Sequence, residues 1–195
     1  CNDMVVDATG RAYVGNFGFD LDTELEARGA ESVIASHGTA KLACIAPDGT
    51  VSIAAPDMHF PNGTVITPDG KTLIVGETLG GCLTAFDIGR DGALSNRRQW
   101  APTWPRIPDG IALDAKNRIW IANPIAPECA LIAEGGEVVE IVKTGDPCYA
   151  CMLGGPDGRT LLMLTAPTSI AHIAAKAPLG KLLITTVDTP RAGRP

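Results

Sequence analysis

Three side chains at one position of a repeated phrase carry the chemistry that this sequence offers. The phrase opens at Asn2, Asn62, Asp109 and Ala150, and its four copies align without a gap. When repeats close into a ring, equivalent positions meet on one axis, so Asn2, Asn62 and Asp109 form a set of amide and carboxylate oxygens. Such hard donors suit Ca2+, which takes about six to eight oxygens. A cation on that axis polarises a carbonyl, and a nearby carboxylate takes a proton from water. Ala150 is the member of the set with no functional group. Asn-Gly and Asp-Gly pairs taken singly are ordinary turn formers. The shared repeat position is what gives Asn62 and Asp109 their weight.

The elements around them are strands. Each copy runs as an apolar strand, a turn and a second apolar strand, with turns at Asp7-Ala8-Thr9-Gly10, Pro68-Asp69-Gly70, Asp114-Ala115-Lys116-Asn117 and Pro156-Asp157-Gly158. Gly or Asn closes each turn, where a positive φ is tolerated, and Asp bonds the backbone just ahead of it. Each copy is therefore a β-hairpin. Further hairpins are expected from Lys41–Ala46 with Val51–Ala55, Cys129–Ala133 with Val138–Val142, and Ile170–Ala174 with Lys181–Val187; Leu83–Ile88 supplies another strand. Two hairpins per repeat make four strands, and openings 60, 47 and 41 residues apart fit propeller blades. The longer first interval holds a polar excursion, Asp20 to His37, expected as a loop with a helical turn. Long helices are not expected, and 15 prolines and 22 glycines suit a turn-rich β fold.

Bulk properties narrow the function. Hydrophobic residues make up 45% and charged residues 19% of 195, a globular balance. Sixteen basic against 22 acidic side chains leave a net charge of −6, which argues against nucleic acid and anionic membrane as partners. No apolar run is long enough to span a bilayer. The six cysteines are scattered through apolar segments and read as small buried hydrophobes in a reducing, cytoplasmic setting. Cys148 and Cys151 have the spacing of half a zinc or redox motif but no second pair, and strand alternation explains them equally well. Neither a nucleophile elbow nor a phosphate loop is present.

The phrases resemble the gluconolactonase, regucalcin and luciferin-regenerating enzyme family. The resemblance rests on Asn2-Asp3-Met4-Val5-Val6-Asp7, Gly15-Asn16-Phe17-Gly18-Phe19-Asp20, Phe60-Pro61-Asn62-Gly63, Pro68-Asp69-Gly70-Lys71-Thr72-Leu73, Pro108-Asp109-Gly110 and Cys148-Tyr149-Ala150-Cys151. The ending Thr186-Val187-Asp188-Thr189-Pro190 with Ala192-Gly193-Arg194-Pro195 looks like that family's C-terminus. The resemblance implies an all-β, six-bladed β-propeller of which about four blades lie in this chain, with residues 1–195 forming a single partial domain. It implies a divalent metal on the axis, usually Ca2+ and in some cases Zn2+ or Mn2+, and hydrolysis of sugar lactones or related esters. Asn62 and Asp109 match metal ligands. Asp109 also matches the residue that manages the attacking water, and Asn2 a polar residue that contacts substrate or completes the metal shell. His59, three residues before Asn62, is a candidate substrate contact at the channel mouth. The family's further Glu ligand comes from a first blade that these residues do not include, so a preceding segment or second chain is expected to complete the ring. Two other readings stand beside the lactonase: a metal- or ligand-binding propeller without turnover, and a self-processed hydrolase using Cys1 as N-terminal nucleophile.

Overall fold

A computed structural model describes residues 1–194 as four antiparallel sheets in chain order, the arrangement of β-propeller blades. The first blade is β1 (Met4–Val6), β2 (Ala12–Val14), β3 (Ala40–Ile45) and β4 (Val51–Met58). The second is β5 (Pro61–Ile66), β6 (Thr72–Glu77), β7 (Cys82–Ile88) and β8 (Leu94–Pro102). The third is β9 (Ile111–Leu113), β10 (Ile119–Asn123), β11 (Glu128–Ile132) and β12 (Val138–Lys143). The fourth has three strands, β13 (Cys148–Gly154), β14 (Thr160–Thr165) and β15 (Lys181–Thr186). Pro195 of the C-terminal motif lies outside the described residues.

The hairpins form where the turn chemistry places them. Asp7, Asp69, Asp114 and Asp157 each accept the backbone N–H two residues ahead, at 2.8, 3.0, 2.9 and 3.0 Å. The same bond recurs at Asp48 and Asp91. In the first and third blades Arg11 and Arg118 also reach back to pair with Asp7 and Asp114. These bonds hold each turn before any tertiary contact is made.

Two expectations are corrected. Ile170–Ala174 is not a strand: Ala171–Ala174 is a short helix, α2, and the fourth sheet is one strand short. A brief run of Ile and Ala has no clear period, so it serves a helical turn as readily as a strand. The excursion after β2 is more than a loop. It forms helix α1 (Leu21–Ala35), N-capped by Asp20, whose carboxylate accepts the N–H of Thr23. Gly29, at φ 74 and ψ 162, breaks the helix into two pieces. Arg28 spans the break, pairing with Glu24 on one side and donating to the carbonyls of Ser32 and Ser36 on the other.

The core consists of three apolar layers, one between each pair of neighbouring sheets. Tyr13, Leu42 and Met58 of the first blade pack on Leu73, Val75 and Phe86 of the second. Val65, Ile74 and Leu83 meet Ile119, Ile121 and Ile132. Trp120 and Leu131 meet Cys151, Leu161 and Met163. The second and third sheets are covered on both faces, whereas the outward face of the fourth presents Leu164, Leu182 and Ile184. Cys129, Cys148 and Cys151 lie together in the third layer, and all six cysteines are free.

The inner strands start at one end of the ring. At the other end the C-terminal segment bridges the second and third blades: Ile66 and Arg194 exchange backbone hydrogen bonds at 2.9 Å, and Ala192 donates to the carbonyl of Leu113. Among the described residues no helix is long and apolar enough to cross a membrane.

Candidate functional site

Asn2, Asn62 and Asp109, from the starts of three different blades, line one cavity of about 360 Å3. Their convergence depends on the glycine that follows two of them. A Cβ on Gly63 would stand 2.5 Å from the nitrogen of Ile111 and 2.6 Å from the carbonyl oxygen of Asp109. A Cβ on Gly110 would stand 2.9 Å from the Cα of Ala150. Neither glycine has a positive φ. The Asn62-Gly63 and Asp109-Gly110 pairs therefore form no turn; they let adjacent inner strands touch backbone to backbone. Gly63 N–H donates to Asp109 C=O at 3.1 Å and Gly110 N–H to Tyr149 C=O at 3.1 Å, which stitches three blades around the axis.

The side chains are held as firmly as the strands. The Asn62 amide donates to Thr78 Oγ1 at 3.2 Å, and that hydroxyl donates to the carbonyl of Pro108 at 2.7 Å. The Asn2 amide donates to the carbonyl of Pro61 at 3.2 Å. Burial pushes the Asp109 carboxyl up to about 7; the negative charge of Asp3 adds to this, and hydrogen bonds from Asn62 and the Gly110 backbone oppose it. Asp3 is itself raised by partial desolvation. Asp109 thus brings a carboxyl to the cavity, and among the described residues no Lys, Arg or His side chain lines it.

That imbalance fits a divalent cation. A carboxylate that burial makes costly to ionise gains from a positive charge beside it. The Asn62 amide nitrogen already has partners, which leaves its carbonyl oxygen for a ligand. Asn62 and Asp109 alone are a thin donor set, and among the described residues no group of three or more His, Cys, Asp or Glu side chains is placed to hold a metal.

His59 lies outside this cavity. Its imidazole Nδ1 is 2.9 Å from Nε2 of His37, just past the end of α1, and its backbone N–H donates to Glu77 at 2.6 Å. These residues line a second cavity of about 510 Å3 with Cys82 and Arg97; Leu79 borders both. Glu77 is buried, pairs with Arg97 at 3.1 Å and accepts the Thr84 hydroxyl. Cys1 is exposed and does not line the Asn2 cavity.

Several contributors escaped the sequence reading. Tyr149, one residue before the repeat position Ala150, faces the cavity in its place. Asp3 sits beside Asn2 in the first phrase, but its sequence position alone gave no sign that it would act on Asp109. Helix α1 covers the mouth with Leu21, Leu25, Val33 and Ile34. Those four are interleaved with Glu24, Glu26 and Glu31, so the segment reads as polar.

Comparison with known proteins places these features in a wider group. The family model described as SMP-30/Gluconolactonase/LRE-like region matches residues 1–167. Pentonolactonase XacC of Haloferax volcanii is 26% identical over 178 residues, covering 85% of this chain and 53% of that protein. A solved luciferin-regenerating enzyme superposes with a TM-score of 0.76 at 20% identity, over 98% of this chain and 63% of that one. A calcium-binding protein, regucalcin, from Agrobacterium tumefaciens gives 0.73 at 18% identity, over 98% and 62%. The chain spans about half the length of the curated relatives it matches.

Proposed function

Because the chain belongs to the SMP-30/gluconolactonase/LRE-like family, we propose that it acts in a metal-dependent hydrolase of lactones and related esters. The observation that carries the reading is the meeting of Asn2, Asn62 and Asp109, far apart in sequence, in one cavity around a raised carboxyl. The relative named pentonolactonase supports a lactone as the substrate class.

Asn62 and Asp109 are the residues that would hold the cation, Ca2+ in the first instance and Zn2+ or Mn2+ as alternatives. When bound, the ion supplies Lewis-acid polarisation of a carbonyl. Asp109 then takes a proton from water on its carboxylate as the water attacks the ring carbonyl. Asn2 orients the substrate from the first blade. His59 contributes from outside the cavity, by bracing His37 and with it the end of α1. The apolar outward face of the fourth sheet is covered in the working protein by further blades, supplied by a preceding segment or a second chain, which together with residues 1–195 make one propeller domain.

The reading is tested by following acid release from a lactone panel at fixed pH, with and without EDTA. Metal-dependent opening of at least one ring supports it; no opening at any metal concentration contradicts it. A second reading, a metal- or ligand-binding propeller without turnover, is favoured by the thin donor set on the axis. Calcium binding without hydrolysis across the panel would select it.

A further inference from the structure

The cavity that holds Asp109 is roofed by hydrocarbon. Leu21, Leu25, Val33 and Ile34 of α1 reach it from above, and Phe60 and Ile107 from the second and third blades. Phe17 stacks on Phe60 with ring centroids 4.5 Å apart, which fixes the Phe60 ring at the cavity wall. Among the described residues, no Lys, Arg or His lines the cavity. The polar groups are few and largely committed: the Asn2 amide to Pro61, the Asn62 amide to Thr78, and the Thr78 hydroxyl to Pro108. Tyr149 and Ser169 are the other hydroxyls on the wall.

A polyhydroxy ring would leave several of its hydroxyls without partners in such a space, and an unpaired buried polar group costs about 1–3 kcal/mol. An alkyl tail, by contrast, would gain about 0.8 kcal/mol for each methylene it buries. Resting on the lactonase reading above, we propose that the cavity selects lactones bearing an apolar tail, the ring carbonyl at Asn62 and Asp109 and the tail under α1. The roof is a built part of the molecule. Gly18, at φ +84, brings the neck of the insertion against Thr39, where a Cβ would stand 2.6 Å from its carbonyl oxygen. His37 donates its Nδ1–H to the carbonyl of Val33 at 3.0 Å and shares a hydrogen bond with His59 at 2.9 Å, which ties down the far end.

The test compares γ-lactones with tails from methyl to pentyl against glucono-δ-lactone, using the purified protein with saturating Ca2+. About 0.8 kcal/mol per methylene converts to a rise in kcat/KM of about fourfold per step. The pentyl substrate should exceed glucono-δ-lactone at least tenfold, and Leu25→Asn and Ile34→Asn should each flatten the series. A flat series, or preference for glucono-δ-lactone, overturns the inference while leaving the lactonase reading standing. If no lactone opens, that reading fails, and calorimetric binding of 2-pentylcyclopentanone decides the inference separately. Binding that weakens in Leu25→Asn supports it, and no binding overturns it.

Discussion

The backbone N–H of Gly63 donates to the carbonyl of Asp109 at 3.1 Å, so the strands bearing Asn62 and Asp109 begin in contact. The bond exists only because residue 63 has no side chain. Gly63→Ala would push a Cβ to within 2.6 Å of two backbone atoms that belong to the neighbouring blade. Overpacking of this kind costs about 1–3 kcal/mol. Urea unfolding should show a loss in that range, and hydrolysis should fall with it because Asp109 moves. A variant as stable and active as the parent would mean that the blades are free to separate here.

Asp109 should make the metal-free protein less stable as pH rises. Its carboxyl is raised to about 7, chiefly by burial, against an ordinary value near 4. The folded state therefore holds the proton more tightly than the unfolded one. The associated stability is complete below about pH 4, is lost between pH 4 and 7, and is absent above that. Asp109→Asn carries no such charge. In EDTA its advantage over the parent should grow by roughly 1–2 kcal/mol between pH 4.5 and pH 8, after allowance for solvent around a partly accessible group. An advantage that is the same at both pH values would contradict the burial argument.

The C-terminal bridge between the second and third blades rests on Gly193, whose φ is +70 and whose Cβ would stand against the carbonyl of Ile66. Gly193→Val should break the exchange between Ile66 and Arg194 and lower the melting temperature. Its effect on substrate preference should be small, since the segment lies at the end of the ring away from Asn62. A large change in preference with no loss of stability would show that the two ends communicate.

The fourth sheet presents Leu182 and Ile184 at 72% and 71% exposure, on the face shared with Leu164. A chain of these residues alone should bind a hydrophobic dye and self-associate. Leu182→Lys combined with Ile184→Lys should reduce both, as read by dye fluorescence and gel filtration. Unchanged dye binding would locate the sticky surface elsewhere.

Much of this architecture is legible in the chain. The turn aspartates make their bonds locally, so the hairpins beginning near Met4, Pro61, Ile111 and Cys148 follow from a few adjacent residues. The cavity set is legible because repetition brings Asn2, Asn62 and Asp109 to equivalent places. What the sequence conceals is non-local. Gly63 and Gly110 look like turn residues until the neighbouring blade shows what would fill their missing side chains. The lining face of α1 is masked by its glutamates and by the break at Gly29. Asp3 matters only through its distance from a carboxyl in another blade. Glu77 is a charged strand end in sequence, and its burial depends on Arg97, Thr84 and His59 arriving from elsewhere.

In the proposed mechanism Asp109 serves a bound cation and an attacking water together. The most direct measurement is the initial rate of lactone opening as a function of Ca2+ concentration in the parent and in Asp109→Asn. Saturable activation is expected in the parent, and in the variant a rate lower by a factor of about 10^2 or more at every calcium concentration. Equal rates in the two proteins, or a parent rate indifferent to calcium and to its removal, would contradict it.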